Sequence, residues 1–422
     1  MTPSLLVVCP LLLLGSAPSQ PPSATPLQSP TSTAHASQLH WDEAPILTHH
    51  ARLTSPDRFT KAGEAYFSPD GKWIIFQAVE TGRPANAPYA MFVAPLTFEG
   101  DRPVGIGEPI LMSPPGSANT CGWFHPTDPT RIMLGSTIEP LRSDDAPGYK
   151  PGSGRYVWAF PEEMEVCSRT IPARWIETHS AWPGQNAPAD WDTPTALFKR
   201  PGYDAECSWS ADGRYILYAH VEPVKPDANG VMPPADADIW IRDTRTGADV
   251  PLVAQPGYDG GPFFSPDGKW ICYRSDRARN DHLQIYIAEL AFDPSGVPTG
   301  VSREIALTNN EHVNWCPYWD ASGRFLVYAT SERGHDNYEV FAVDADPDLS
   351  IESRRRIAVT QAPGADVLPA FDPTGKWMMW TSRRLPPGAD EPSTTQLWIA
   401  RYNSAVVEQR LMQPDAEPEM SN

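Results

Sequence analysis

The sequence predicts an all-β fold: a six-bladed β-propeller of four-stranded blades, the last blade closed by an N-terminal strand. Three observations lead there: a repeated motif, four strand-like runs per repeat, and a strand left over at one end that the other end lacks. The motif appears first as Phe67-Ser-Pro-Asp-Gly-Lys-Trp73. It returns as Trp209-Ser-Ala-Asp-Gly-Arg-Tyr215, Phe264-Ser-Pro-Asp-Gly-Lys-Trp270, Trp319-Asp-Ala-Ser-Gly-Arg-Phe325 and Phe371-Asp-Pro-Thr-Gly-Lys-Trp377. Self-similarity at a fixed period marks repeated supersecondary units. Gly213, Gly268, Gly323 and Gly375 are 55, 55 and 52 residues apart, whereas Gly71 and Gly213 are separated by 142. That long interval holds a degenerate copy, Trp123-Phe124-His125-Pro126 followed by Arg131-Ile-Met-Leu134, which keeps the aromatic and the strand but lacks the Asp-Gly turn.

Each unit begins with a hairpin. Pro presets φ near about −65° at the second turn position and Gly accepts the positive φ that closes the turn. The run after the turn is apolar over a strand's length, as in Tyr215-Ile-Leu-Tyr218, Trp270-Ile-Cys-Tyr273 and Trp377-Met-Met-Trp380. A third run follows in Ile239-Trp-Ile241, Gln284-Ile-Tyr-Ile287, Glu339-Val-Phe-Ala-Val343 and Gln396-Leu-Trp-Ile399, and a fourth in Val250-Pro-Leu-Val253, Glu304-Ile-Ala-Leu307 and Arg356-Ile-Ala-Val359. Four strands in each of six units describe a propeller. The sixth unit ends at Tyr402 with three strands, and Ala51-Arg-Leu-Thr54 precedes the first unit without a partner. Pairing them closes the ring and removes sheet edges that invite aggregation. A seven-bladed ring drawing on residues 139–195 is the alternative; the six-bladed reading makes that stretch long loops of blade 2 around Tyr156-Val-Trp158 and Met164-Glu-Val166.

The chain divides into a signal peptide at 1–19, a Pro/Ser/Thr-rich linker at 20–45, the propeller at 46–403 and a C-terminal tail at 404–422. Residues 5–14 form an apolar run followed by small residues, though no Lys or Arg precedes it. The run is shorter than the ~20 residues a transmembrane helix needs. A periplasmic or secreted location follows. The formal charge of −19, from 52 acidic and 33 basic residues, opposes nucleic acid and anionic membranes as partners. The Arg354-Arg-Arg356 cluster is read as solvated. Fifteen Trp suit blade packing. Cys121, Cys167, Cys207, Cys272 and Cys316 remain after the leader, an odd number with no Cys-x-x-Cys, so their pairing stays open.

Loops leading into the innermost strands place side chains at the channel mouth. Five residues before each anchor aromatic stand Ala62, Asn119, Asp204, Asp259, Asn314 and Asp366. An Asx-turn that caps local backbone explains this position structurally. A polar ligand-binding ring explains it functionally, joined by Glu64, Glu206 and His312, and asparates offer more lone pairs than one cap uses. Repeated arginines in Ser275-Asp-Arg277, Ser331-Glu-Arg333 and Ser382-Arg-Arg384 read as structural partners of neighbouring blades. No Gly-x-Ser-x-Gly elbow, His-Glu-x-x-His pair or phosphate-binding loop is present, so no catalytic residue, metal or cofactor is expected.

On Ala65-Tyr-Phe-Ser-Pro-Asp-Gly71, Thr120-Cys121, Tyr203-Asp-Ala-Glu206 and Tyr258-Asp-Gly-Gly-Pro-Phe-Phe-Ser-Pro-Asp-Gly268, the chain resembles the TolB-like family of periplasmic β-propellers from about Leu53 to Tyr402. The departure is at the start, where a linker stands in place of the N-terminal α/β domain of true TolB. The resemblance implies a non-catalytic scaffold whose mouth binds partner proteins or peptides at the cell envelope; our expectation is a monomer that binds a protein, peptide or glycan there. Similar repeats occur in prolyl-oligopeptidase-type peptidases and oligogalacturonate lyases. The competing expectation is therefore a secreted polysaccharide lyase or hydrolase using mouth carboxylates and His312.

Overall fold

A computed structural model describes residues 42–84, 86–142, 148–149, 158–171, 193–225, 229, 235–278, 282–386, 388 and 394–412. The expected leader and most of the linker lie outside the described residues.

Six antiparallel sheets form a six-bladed propeller. Blade 6 contains the first strand, β1 (Leu47–Arg52). Blade 1 follows with β2 (Phe59–Phe67), β3 (Trp73–Glu80), β4 (Ala90–Glu99) and β5 (Arg102–Ile106), plus a short β6 (Ile110–Leu111) paired to β4. Blade 2 holds β7 (Ser117–His125) and β8 (Asp128–Pro140). Its chain then makes a two-stranded excursion, β9 (Gly148–Tyr149) with β10 (Trp158–Ala159), and returns as β11 (Glu165–Thr170) and β12 (Thr195–Ala196). The described residues between 139 and 195 thus belong to blade 2 and its excursion, and the sheets number six rather than seven. Tyr156 and Val157 fall outside the described residues.

The remaining blades are regular. Blade 3 is β13 (Tyr203–Trp209), β14 (Tyr215–Val221), β15 (Ala237–Asp243) and β16 (Asp249–Val253). Blade 4 is β17 (Asp259–Phe264), β18 (Trp270–Ser275), β19 (Gln284–Phe292) and β20 (Pro298–Ala306). Blade 5 is β21 (Asn314–Trp319), β22 (Phe325–Thr330), β23 (Glu339–Asp344) and β24 (Arg356–Ala358). Blade 6 is completed by β25 (Asp366–Phe371), β26 (Trp377–Ser382) and β27 (Gln396–Tyr402), with β1 as its outer strand: Leu47 opposes Tyr402 and Arg52 opposes Trp398. A helix, α1 (Ser404–Met412), then folds Val407 and Leu411 into the core of blades 5 and 6.

The repeated turn explains its own sequence. Ser68 Oγ donates to Asp70 Oδ1 (2.6 Å) and accepts from Trp73 N, while Gly71 sits at φ 68°. The same contacts recur at Ser210–Asp212–Tyr215 and Ser265–Asp267–Trp270. Apolar faces of consecutive blades then pack on one another. Trp380 and Trp398 of blade 6 are buried against Phe325, Val327, Val340 and Ala342 of blade 5. Burying such a side chain stabilises by roughly 1.5–3 kcal/mol. Arg354 is not solvated as expected; it is buried and donates to the carbonyls of Asp344, Asp346 and Leu349.

The innermost strands β2, β7, β13, β17, β21 and β25 each touch the next, and β25 touches β2. Three residues before the anchor aromatic, all six lose register against their partner strand. Each break is a β-bulge carrying one left-handed residue: Glu64 (φ 39°), Cys121 (51°), Glu206 (53°), Gly261 (60°), Cys316 (46°) and Leu368 (55°). Bulges give one extra residue to a strand and re-aim its side chains. They create the axial site.

Candidate axial binding site

The six bulge residues face the propeller axis, because side chains of non-adjacent blades meet there. Glu64 of blade 1 is coupled electrostatically to Glu206 of blade 3 and Arg274 of blade 4. Tyr66 Oη and Thr120 Oγ1 each donate to a Glu64 oxygen at 3.3 Å. Glu206 Oε2 accepts from Tyr258 Oη (2.6 Å) and from Arg274 Nη2 (2.9 Å). Gly261 makes this possible, since a Cβ there would collide with the Arg274 guanidinium. Cys316 Sγ accepts from Leu368 N at 3.2 Å, continuing the ring from blade 5 to blade 6.

Two residues further along the same strands, ~6–7 Å by strand rise, aromatic rings fill the channel. Tyr66 stacks on Trp123 (centroids 4.6 Å apart) and lies 5.9 Å from Phe263 and 6.2 Å from Tyr318. The channel is therefore a polar ring over an aromatic floor.

The electrostatics set the protonation of the ring. Burial pushes the Glu64 carboxyl up, against Cys121, Arg274 and Thr120, which favour its charge; Glu206 adds to the rise. Burial likewise raises the Cys121 thiol, with Glu64 and Glu206 reinforcing it.

The Asx residues point elsewhere. Asp204, Asp259 and Asp366 are all 0% exposed, and each is bonded inside its own blade. Asp204 Oδ1 meets His220 Nδ1 at 2.8 Å, and Asp259 Oδ1 accepts from Arg277 at 2.9 Å. Asp366 accepts from Arg384 (2.5 Å), Ser382 and Trp380, while Arg384 also reaches both oxygens of Glu43 ahead of β1. Arg277 and Arg384 thus pair within one blade rather than with a neighbour. Asn119 donates to the Tyr89 carbonyl at 3.0 Å, and Asn314 donates to Gln284 Oε1 of blade 4 at 3.0 Å. His312 takes part through its backbone, donating to Asn310 Oδ1 and accepting from Gln284. Of the residues singled out from sequence, the structure brings Glu64 and Glu206 together on the axis and sets Asn119, Asp204, Asp259, Asn314 and Asp366 in the blades behind them.

A second acidic layer was not visible in the motif. Acidic residues at the starts of third strands, first in β11 and β23 and second in β15, lie against the aspartates of the following blade: Glu165 by Asp204, Asp238 by Asp259, Glu339 by Asp366. Burial first, then that facing aspartate, pushes Glu165 up to about 7 and Glu339 up to about 8. Asp238 rises to about 6 through burial, Asp236 and Asp259.

Sequence reasoning missed Cys121, Gly261, Cys316, Leu368, Tyr258 and Arg274 as axial residues. The available signal was Gly261, a glycine at a strand position where other copies carry larger side chains. Above the ring, Phe160 and Met164 of the blade 2 excursion pack with Tyr203, Tyr258 and Val313. A surface cleft of about 350 Å³ lined by His125, Arg131, Trp209 and Arg242 lies outside the channel, between blades 2 and 3. Among the described residues no three His, Cys, Asp or Glu side chains converge to hold a metal, all five cysteines are free thiols, and no helix is long and apolar enough to cross a membrane.

No protein-family model matches the chain. It is 26% identical over 205 residues to an uncharacterized protein of Agrobacterium fabrum, covering 48% of this chain and 58% of that one. It is 24% identical over 206 residues to the uncharacterized peptidase YuxL of Bacillus subtilis (41% and 28% covered). Over 84 residues it is 33% identical to the Tol-Pal system protein TolB of Francisella tularensis (20% and 17% covered). The chain thus spans 58%, 28% and 17% of these relatives' lengths. Among solved structures it is similar to TolB from Acinetobacter baumannii, with a TM-score of 0.43 and 15% identity over 81% of this chain and 63% of that one. It is similar also to an oligogalacturonate lyase from Vibrio parahaemolyticus, with a TM-score of 0.43 and 10% identity over 86% and 96%.

Proposed function

We propose that this chain is an exported, non-catalytic propeller that binds a protein, peptide or glycan of the cell envelope at the strand-start end of its channel. The group responsible is Glu64, Asn119, Asp204, Glu206, Asp259, His312, Asn314 and Asp366, with two tiers of duty. The buried aspartates and asparagines fix the loops through their internal bonds, and Glu64 and Glu206 meet the ligand. One observation carries this reading: side chains of four blades converge on Glu64 and Glu206 within a hydrogen-bonded rim. Preorganisation of that kind lowers the ordering cost of association.

A secreted lyase or hydrolase is the second reading. A carboxyl held toward its neutral form beside an arginine-paired carboxylate is an arrangement that general acid and base can use. Both are tested with the intact protein and Glu206→Gln. Envelope proteins or glycans retained by the native protein, released by Glu206→Gln and left uncleaved would support the scaffold. Cleavage of envelope polysaccharide that disappears in Glu64→Gln would establish the enzyme. A partner held equally by native protein and Glu206→Gln would place binding away from the channel.

A further inference from the structure

We infer that the axial ring is a seat for one organic cation, an alkylammonium or guanidinium group presented by a ligand. The inference rests on the binding reading above and names the group that enters the channel.

The first observation is an orphaned acceptor. Glu206 is only 4% exposed, and its Oε2 is taken by Tyr258 and Arg274, yet its Oε1 has no hydrogen-bond partner among the described residues. A buried acceptor without a donor costs about 1–3 kcal/mol, and more when charged. Around the axis Thr120, Cys121, Trp315, Val367 and Leu368 keep partial exposure. A hydrogen-bond donor on a ligand entering there would satisfy Oε1.

The second observation is charge. Two carboxyls, Glu64 and Glu206, share one guanidinium, that of Arg274, and the Glu64 carboxyl is otherwise bonded by neutral groups, the hydroxyls of Tyr66 and Thr120 and the Cys121 thiol. An arriving cation favours the charged form of the second carboxyl, whereas an anion would oppose it. The third is the wall. Trp315 already lies 6.0 Å from the Arg274 guanidinium, and the Tyr66, Trp123, Phe263 and Tyr318 rings form the floor; cations are attracted to aromatic faces at such distances.

Occupancy is linked to a proton. The charged and titratable groups facing Glu64 are Tyr66, Tyr89, Cys121, Tyr203, Glu206, Cys207, Arg274 and Cys316, and its carboxyl is pushed up by burial. A cation seated beside it favours the charged form and opposes that rise.

Titration calorimetry of the full chain with methylguanidinium chloride and with n-propylammonium chloride tests this, with sodium chloride at matched ionic strength and glycerol as controls. We expect saturable binding of the organic cations only, weakened about tenfold or more in Glu206→Gln. Affinity for the organic cations should rise with pH as Glu64 ionises, and Glu64→Gln should remove that rise. Leu368→Lys, whose ammonium enters the same ring from the neighbouring blade, should abolish binding of the free cations while circular dichroism is unchanged. No saturable heat, equal binding of glycerol, or undiminished affinity in folded Glu206→Gln or Leu368→Lys overturns the inference. Cation binding without any envelope partner would sink the scaffold reading alone; a Glu206-independent partner without cation binding would sink this one alone.

Discussion

Glu339 gives the sharpest test of the acidic layer between blades. It is 1% exposed at the start of β23, its Oε2 accepts from Thr360 Oγ1 at 2.6 Å, and burial with the facing Asp366 pushes it up to about 8 from 4.5. The folded-state value lies above the unfolded one, so the native state holds a proton that the unfolded chain has released. Its stabilising effect is complete below about pH 4.5 and is lost progressively as pH rises to about 8. At about 1.4 kcal/mol per pH unit, ionising Glu339 costs the fold up to about 5 kcal/mol. Relaxation and water penetration around a newly buried charge reduce such a penalty, so we expect a measured effect on the order of 2–4 kcal/mol. Glu339→Gln keeps the Thr360 hydrogen bond and removes the charge. Urea unfolding followed by tryptophan fluorescence between pH 4.5 and 9 should show variant and native protein equal at the acid end, with the variant more stable above pH 8. Parallel stability profiles across that range would refute the assignment.

Other outcomes follow from the same packing. Arg384→Met leaves Glu43 and Asp366 buried without their shared cation and should cost about 3–5 kcal/mol in urea unfolding, much of it restored by adding Asp366→Asn. Burial opposes ionisation of Glu43, but His50 and Arg384 outweigh it and hold the carboxyl at about 2 against 4.5. Its contribution is thus present above about pH 4.5 and lost as pH falls toward 2, and Glu43→Gln should flatten acid unfolding in that window. Burial raises the thiols of Cys207 and Cys272, so native protein at pH 8 should leave both unmodified by a thiol reagent that labels them fully in urea; rapid native labelling would contradict the buried assignment.

The repeats were legible because their cause is local. In the five turns of the motif the opening Ser or Asp bonds the residue two further on, so the hairpin is written within seven residues. The closing strand was legible as a shortage, three strands at one end and a spare at the other, although its ladder runs Leu47–Arg52 rather than Ala51–Thr54; Leu53 and Thr54 still bond Leu397. The direction of the site residues was not legible. By simple alternation Asp204 and Glu206 share a face, as do Ala62 and Glu64. The bulge adds a residue between strand start and anchor, and this sends Asp204 to His220 inside the blade and Glu206 to Arg274 on the axis. Arg274 was hidden for another reason: it belongs to a second strand and reaches the centre only because Gly261 has no side chain. The facing pairs Glu165–Asp204 and Glu339–Asp366 join different repeats, a relation that no single motif copy contains.

The pairing of β1 with β27 has a consequence for biogenesis. A ribosome delivers residues 47–52 some 350 positions before their mates at 396–402, so blade 6 has only its outer strand until β25, β26 and β27 have emerged. During that interval both rims of the nascent arc present open hydrogen-bonding edges to any chaperone or to a sister molecule. Zipping the first segment onto the last ends this vulnerable period in a single late event, which also makes the Glu43–Arg384–Asp366 clasp the natural latch on the finished toroid.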